Sequence, residues 1–275
     1  MRSLLVALAA CLVTPACRFG LDYSGDDRNL LRETVASEGH ELSYLRAGDG
    51  TRQRVIFIHG SPGLGAMYSD YLRELGPRAE VLAVDRLGYG ASAGSGTVVS
   101  FEEQAAAIAP LLVERNGRWP IVVGHSLGGP IAARLAADFP DRVGALVIVA
   151  GGLDPELEET HWYNEVARWR VVQPFLAEFL KVSNREMWAC RDEVERLDPL
   201  LARIACPVFV IHGTADTLVP YEVLPHTIDR FADQTNLTVV VLIGEEHRVT
   251  ALRREEVREV IEHILRGGGD YLEVE

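Results

Sequence analysis

Gly124-His125-Ser126-Leu127-Gly128 follows the apolar run Ile121-Val122-Val123 and leads into Gly129-Pro130-Ile131-Ala132-Ala133-Arg134-Leu135-Ala136-Ala137. Read in order, this predicts a buried strand, a tight turn with a serine at its tip, and a helix of small residues. The glycines have a steric reason. A serine on so sharp a turn is held in a strained backbone conformation, and side chains two positions before and after it would strike the neighbouring strand and helix. The helix that follows aims its free N–H groups and positive dipole end at the serine, where they favour negative charge. Ser126 is therefore the candidate nucleophile.

Outward from this turn, short apolar runs alternate with helical patterns. Val55-Ile56-Phe57-Ile58 reads as a strand buried on both faces of a parallel sheet, ending in His59-Gly60-Ser61-Pro62-Gly63. A helix over 67–75, a strand over 79–84 and the segment Asp85-Arg86-Leu87-Gly88-Tyr89-Gly90-Ala91-Ser92 come next. The pattern from Phe101 to Glu114 predicts a helix, and Ala145 to Ala150 a strand. After residue 203, Pro207 to Ile211 predicts a strand ending in His212-Gly213-Thr214-Ala215-Asp216. A helix over 221–231 follows, then a strand from Thr238 to Ile243 ending in Gly244-Glu245-Glu246-His247, and a closing helix over 253–265. Residues 33–47 predict an antiparallel pair of strands ahead of this series, with 18–32 as a polar lead-in. The expected fold is α/β, a mostly parallel central sheet flanked by helices, with its core in 33–152 and 204–266.

Residues 153–203 interrupt the alternation. They carry no buried-strand pattern, and at about fifty residues they are long for one connection. A short helical cap over the sheet edge is expected there, its aromatic residues Trp162, Tyr163, Trp169 and Trp188 serving mainly as packing. Asp154 and the carboxylates Glu156, Glu158 and Glu159 lie at its start, the three glutamates read mainly as surface charge.

The 275-residue chain is 48% hydrophobic, enough for a sizeable core, and its net charge of -13 argues against nucleic acid and anionic membrane surfaces as partners. No spacing of Cys and His resembles a metal site, and no cofactor is expected. Met1-Arg2-Ser3 followed by the apolar stretch Leu4 to Val13 is too short for a span of about twenty residues. It matches the hydrophobic part of a signal peptide, so 1–17 are expected to be a leader and the protein exported. Cys11 and Cys17 are the candidates for a lipid anchor to a membrane, with ordinary cleavage as the alternative. Cys206 is expected in the core, and a bridge to Cys190 is left open.

In a parallel sheet the reactive groups gather beyond the carboxyl ends of the strands. His59, Asp85, Ser126, Asp216 and His247 all fall there. With its ordered motifs, 33–266 resembles the α/β-hydrolase fold superfamily: His59 to Gly63, Asp85 to Ser92, Gly124 to Gly129, His212 to Asp216 with Val219-Pro220, and His247 after the last strand. The resemblance implies a catalytic triad with Ser126 as nucleophile, His247 as general base and Asp216 as its orienting acid, Asp154 being the rival acid. It implies an oxyanion hole from the backbone N–H groups of Leu127 and Ser61, since Pro62 has none. His59, His125, His212 and Asp85 are expected to brace loops.

A serine nucleophile argues for acyl transfer to water and against the alkyl-ester chemistry of carboxylate nucleophiles. The expected activity is hydrolysis of a small-molecule acyl substrate, a carboxylic ester first. His-Gly-Ser-Pro-Gly also resembles the His-Gly-Gly-Pro-Gly of prolyl aminopeptidases, with Glu156, Glu158 and Glu159 able to meet a substrate amine. A non-catalytic, surface-anchored member of the same fold is the remaining alternative.

Overall fold

Val55, Ile56, Phe57 and Ile58 offer no polar side chain to solvent, and the strand they build, β3 (Arg54–Ile58), is buried along its whole length. A computed structural model describes residues 27–231 and 236–268. The leader over 1–17, with Cys11 and Cys17, lies outside the described residues. Among those described, β1 (Leu31–Ser37), β2 (His40–Ala47), β3, β4 (Glu80–Asp85), β5 (Ile121–His125), β6 (Ala145–Val149), β7 (Val208–Gly213) and β8 (Leu237–Leu242) form one eight-stranded sheet in the order β1-β2-β4-β3-β5-β6-β7-β8. β1 pairs antiparallel with β2, and β2 antiparallel with β4. All later pairings are parallel. The polar lead-in is shorter than the sequence suggests, because Leu31 and Arg32 already pair with Arg46 and Leu45.

The two-residue period of the strands sorts their side chains into two cores. Ile56, Ile58, Val122, Leu146, Ile148, Val208 and Val210 face one way, packing with helices α2 (Phe101–Ile108) and α3 (Gly128–Asp138). Val55, Phe57, Ile121, Val123, Val147, Val149 and Ile211 face the other, against α1 (Ser69–Leu75) and the closing helix, here α8 (Arg254–Leu265). α2 starts where Ser100 accepts the Glu103 N–H, a side-chain cap. It ends earlier than its apolar pattern implies: Ala109–Leu111 is a 3-10 turn with Pro110 inside it. Proline has no N–H to continue the ladder and crowds the preceding turn.

Between β6 and β7, residues 153–203 carry α4 (Trp162–Arg168) and the 20-residue α5 (Glu178–Leu197), joined by loops and short 3-10 turns. Their aromatic residues do not all pack inward. Trp162 and Trp169 are 65% and 53% exposed, whereas Tyr163 is half-buried against the His161 ring and Trp188 has the Arg168 guanidinium 4.4 Å from its ring centre. Helix α6 (Val223–Phe231) crosses from β7 to β8, and α7 (Val249–Leu252) precedes α8. Cys190 and Cys206 are both buried and both free, so the bridge left open above is not formed.

The turn after β5 shows why its glycines are needed. Ser126 has φ +54°, the left-handed region, and is pinned there by its N–H on the Val149 carbonyl at 3.0 Å. A Cβ on Gly124 would lie 2.1 Å from the Gly128 carbonyl oxygen, and one on Gly128 would lie 2.2 Å from that of Ile58. Both obstacles are backbone and cannot rotate aside. Gly124→Ala is expected to cost about 3 kcal/mol or more of folding stability, the upper end of overpacking effects. Chemical denaturation would check it, and a loss under about 1 kcal/mol would mean that the strand and helix yield freely.

Candidate active site

Each chemistry-bearing side chain sits where a parallel strand ends. Ser126 follows β5, Asp216 lies three residues after β7, and His247 lies in the loop after β8. The fold brings these three together across long sequence separations. His247 Nε2 is 2.9 Å from Ser126 Oγ, and His247 Nδ1 is 2.8 Å from Asp216 Oδ2. A carboxylate can only accept, so Nδ1 carries the proton and Nε2 faces the serine hydroxyl as an acceptor. Asp216 Oδ1 takes the N–H groups of Leu218 and Val219, both at 2.9 Å. Burial pushes the Asp216 carboxyl up. The hydrogen bond and charge of His247, joined by the two N–H groups, outweigh that and hold it below the usual carboxylate range.

The rival acid is elsewhere. Asp154 Oδ1 accepts the Glu156 N–H at 2.9 Å and caps a 3-10 turn. Two further histidines brace the frame, His125 and His212. His125 Nε2 donates to the His247 carbonyl at 3.1 Å, and burial, with His247 beside it, pushes its pKa down to about 3. His212 Nε2 donates to the Val219 carbonyl at 2.9 Å, steadying the loop that carries Asp216. Asp85 holds the Gly65 and Ala91 N–H groups at 2.8 and 3.0 Å and pairs with Arg32 at 2.6 Å. It is a loop anchor.

Ser126 and His247 open onto a cavity of about 850 Å³ that Ser61 and Leu127 also line. Gly60 packs directly on the nucleophile candidate: a Cβ there would lie 2.7 Å from Ser126 Cβ and 3.2 Å from Oγ. Among the described residues, no turn or loop carbonyl accepts the N–H of Ser61 or of Leu127. Leu127 stands at the N-terminal end of α3, where the helix dipole adds positive potential, and Ser61 lies in the loop after β3.

The far wall comes from 153–203, through Leu157, Tyr163, Leu180 and Met187 among others. Glu156 and Glu159 are exposed, in line with surface charge, but Glu158 departs from that expectation. Its side chain lines the cavity and accepts from Cys190 Sγ at 3.2 Å, and burial pushes its carboxyl above the usual range. Sequence reasoning missed this because one helical turn's worth of acidic residues gives no sign of which one turns inward. It also passed over Arg86 and Glu186, which form a wholly buried pair, Nη1 to Oε1 at 2.6 Å. An arginine within a glycine-rich loop and a glutamate amid the apolar positions of α5 were the available signals. Among the described residues no cluster of side chains is suited to hold a metal ion.

Known proteins resemble this chain at several levels. A family model for the alpha/beta hydrolase fold matches residues 53–171, and the prolyl oligopeptidase family model matches 116–267, more than half of the chain. Esterase Rv0045c of Mycobacterium tuberculosis is 40% identical over 120 residues, 43% of this chain and 39% of that protein. Lipase LipV of the same organism is 36% identical over 115 residues, 42% of each. The chain thus spans less than half the length of these curated relatives. A thermophilic esterase from Thermogutta terrifontis has the same fold, with a TM-score of 0.67 and 22% identity over 87% of this chain and 99% of that one. Sheet order, the strained serine turn and the two family matches converge: the chain belongs to the α/β-hydrolase fold superfamily.

Proposed function

We propose that the protein is a serine hydrolase that cleaves carboxylic esters of small acyl groups through an acyl-enzyme on Ser126. The observation that carries this reading is the continuous hydrogen-bonded series Asp216–His247–Ser126 at the wall of a cavity large enough for a small ester. A serine hydroxyl is a weak nucleophile until a base takes its proton. As Oγ attacks the substrate carbonyl, its proton passes to His247 Nε2, and Asp216 stabilises the imidazolium. The carbonyl oxygen becomes an oxyanion facing the N–H groups of Leu127 and Ser61. His247 then returns the proton to the departing alkoxide. Water repeats the sequence, attacking the acyl carbon and releasing Ser126. The names of the esterase and lipase relatives support this reading over other acyl transfers.

A second reading, hydrolysis of an amide next to a substrate amine, draws on the prolyl oligopeptidase match and on Glu158 at the cavity wall. The two separate in one assay of p-nitrophenyl acyl esters against prolyl arylamides. The ester reading expects kcat/KM to favour an ester by about a hundred-fold or more, the scale on which an apolar pocket tells substrates apart. Preference for the arylamide would replace it with the second reading. Failure of the wild type to react with a fluorophosphonate probe would exclude both and leave the non-catalytic alternative.

A further inference from the structure

The Gly60 carbonyl and the Ser61 N–H belong to one peptide unit. In a planar trans unit they point opposite ways, so whatever holds the carbonyl aims the N–H. Two donors hold it. His59 Nδ1 lies 2.8 Å from Gly60 O, and Arg86 Nη2 lies 2.9 Å from it. The tautomer of His59 follows from its other nitrogen: Nε2 accepts the Arg86 backbone N–H at 3.0 Å, which leaves the proton on Nδ1. Burial, with Arg86 nearby, pushes the His59 pKa well below its ordinary value and keeps the ring neutral.

Arg86 is held in turn. Its side chain is fully buried, Nε donates to the His59 carbonyl at 2.8 Å, and the fork reaches both oxygens of Glu186 at 2.6 and 3.2 Å. Glu186 Oε2 also accepts from Tyr89 Oη at 2.6 Å and from Ser61 Oγ at 2.5 Å. Glu186 belongs to α5, whose residues Ser183, Asn184 and Met187 line the cavity. One buried network therefore grips the oxyanion-hole peptide from its carbonyl end, through Arg86, and from the Ser61 side chain, through Glu186. The mechanism above uses the Ser61 N–H but gives no part to His59, Arg86, Tyr89 or Glu186.

We infer that Arg86, braced by Glu186, is a positioning residue for the Ser61 oxyanion donor. The inference rests on the serine-hydrolase reading and deepens it. Two effects follow from the geometry. The guanidinium fixes the direction of the N–H, and by drawing electron density toward Gly60 O it makes that N–H a stronger donor. Both effects act on an oxygen that bears negative charge in the transition state, so they raise kcat and leave ground-state binding little changed. They also make the donor's aim depend on where α5 lies.

The bland reading is that a buried arginine merely needs a buried partner. Arg86→Lys and the charge-neutral pair Arg86→Gln with Glu186→Gln separate the two in the full chain. Lysine keeps the charge opposite Glu186 but lacks the planar fork that reaches Gly60 O as well. Expected for both variants is a fall in kcat of about a hundred-fold, the cost of one oxyanion donor, with KM within about threefold. The Ki of a trifluoromethyl ketone, which forms an oxyanion adduct on the nucleophile, should rise by the same factor as kcat/KM falls. If the paired variant does not fold, Arg86→Lys alone decides. Thermal midpoints are read alongside. A folded variant with unchanged kcat and ketone Ki, or one that changes KM alone, overturns the inference. Loss of the underlying reading looks different: the wild type itself would then fail to react with a fluorophosphonate.

Discussion

Ser126→Ala is expected to lower kcat/KM for p-nitrophenyl ester hydrolysis by about a million-fold, the scale seen when a triad nucleophile is lost. Oγ is the only atom removed. It lies 2.9 Å from His247 Nε2, and among the described residues no other hydroxyl is hydrogen-bonded to that nitrogen. A residual rate above water is expected, because the N–H groups of Leu127 and Ser61 and the cavity wall remain. His247→Ala should cost about as much, and the double variant little more, since the groups act as a unit. The fold should survive: the φ of +54° at Ser126 is set by its backbone bonds to Val149 and Gly129, which alanine retains. Fluorophosphonate labelling must vanish with Ser126. Labelling that persists in a folded Ser126→Ala protein would place the nucleophile elsewhere.

Ser126 was legible because its signal is local. A buried strand, two glycines and a small-residue helix within about twenty residues state a geometry that few other folds need. Asp216 and His247 were legible for a related reason: each follows an apolar strand, and a parallel sheet gathers such positions along one edge. Contacts made across the third dimension were not. Arg86 and Glu186 are 100 residues apart and join only because α5 lies over the loop after β4. Helical periodicity marks the inward face of α5, yet says nothing of which loop that face meets. The same gap explains Glu158, one of three nearby glutamates, and Trp162 and Trp169, whose size suggested packing although they stand in solvent. The far wall of the cavity comes from residues 153–203, where the fold constrains sequence least.

Asp216→Asn is expected to lower kcat about ten-thousand-fold at neutral pH while leaving KM and the fold nearly intact. The reason is the tautomer. Asp216 Oδ2 can only accept, and at 2.8 Å it requires the proton of His247 to sit on Nδ1. An asparagine can turn its NH₂ toward Nδ1, which then becomes the acceptor. The proton moves to Nε2, where it faces Ser126 and can no longer be exchanged for the hydroxyl's. Asp154→Asn, by contrast, touches only the cap of a 3-10 turn and should stay within about threefold of wild type. Near-equal losses in the two variants would reopen the choice of acid. The ionised carboxylate also has a stability signature. Its pKa is depressed in the folded state despite burial, so its contribution is present in full above the unfolded value of about 3.9. That contribution is lost as pH falls through the lower folded value. The stability difference between wild type and Asp216→Asn should therefore shift against the wild type as pH falls below about 4. Denaturation midpoints measured at pH 7, 5 and 3 would show it, and a difference that moves the wrong way would mean that the carboxyl is protonated in the folded protein.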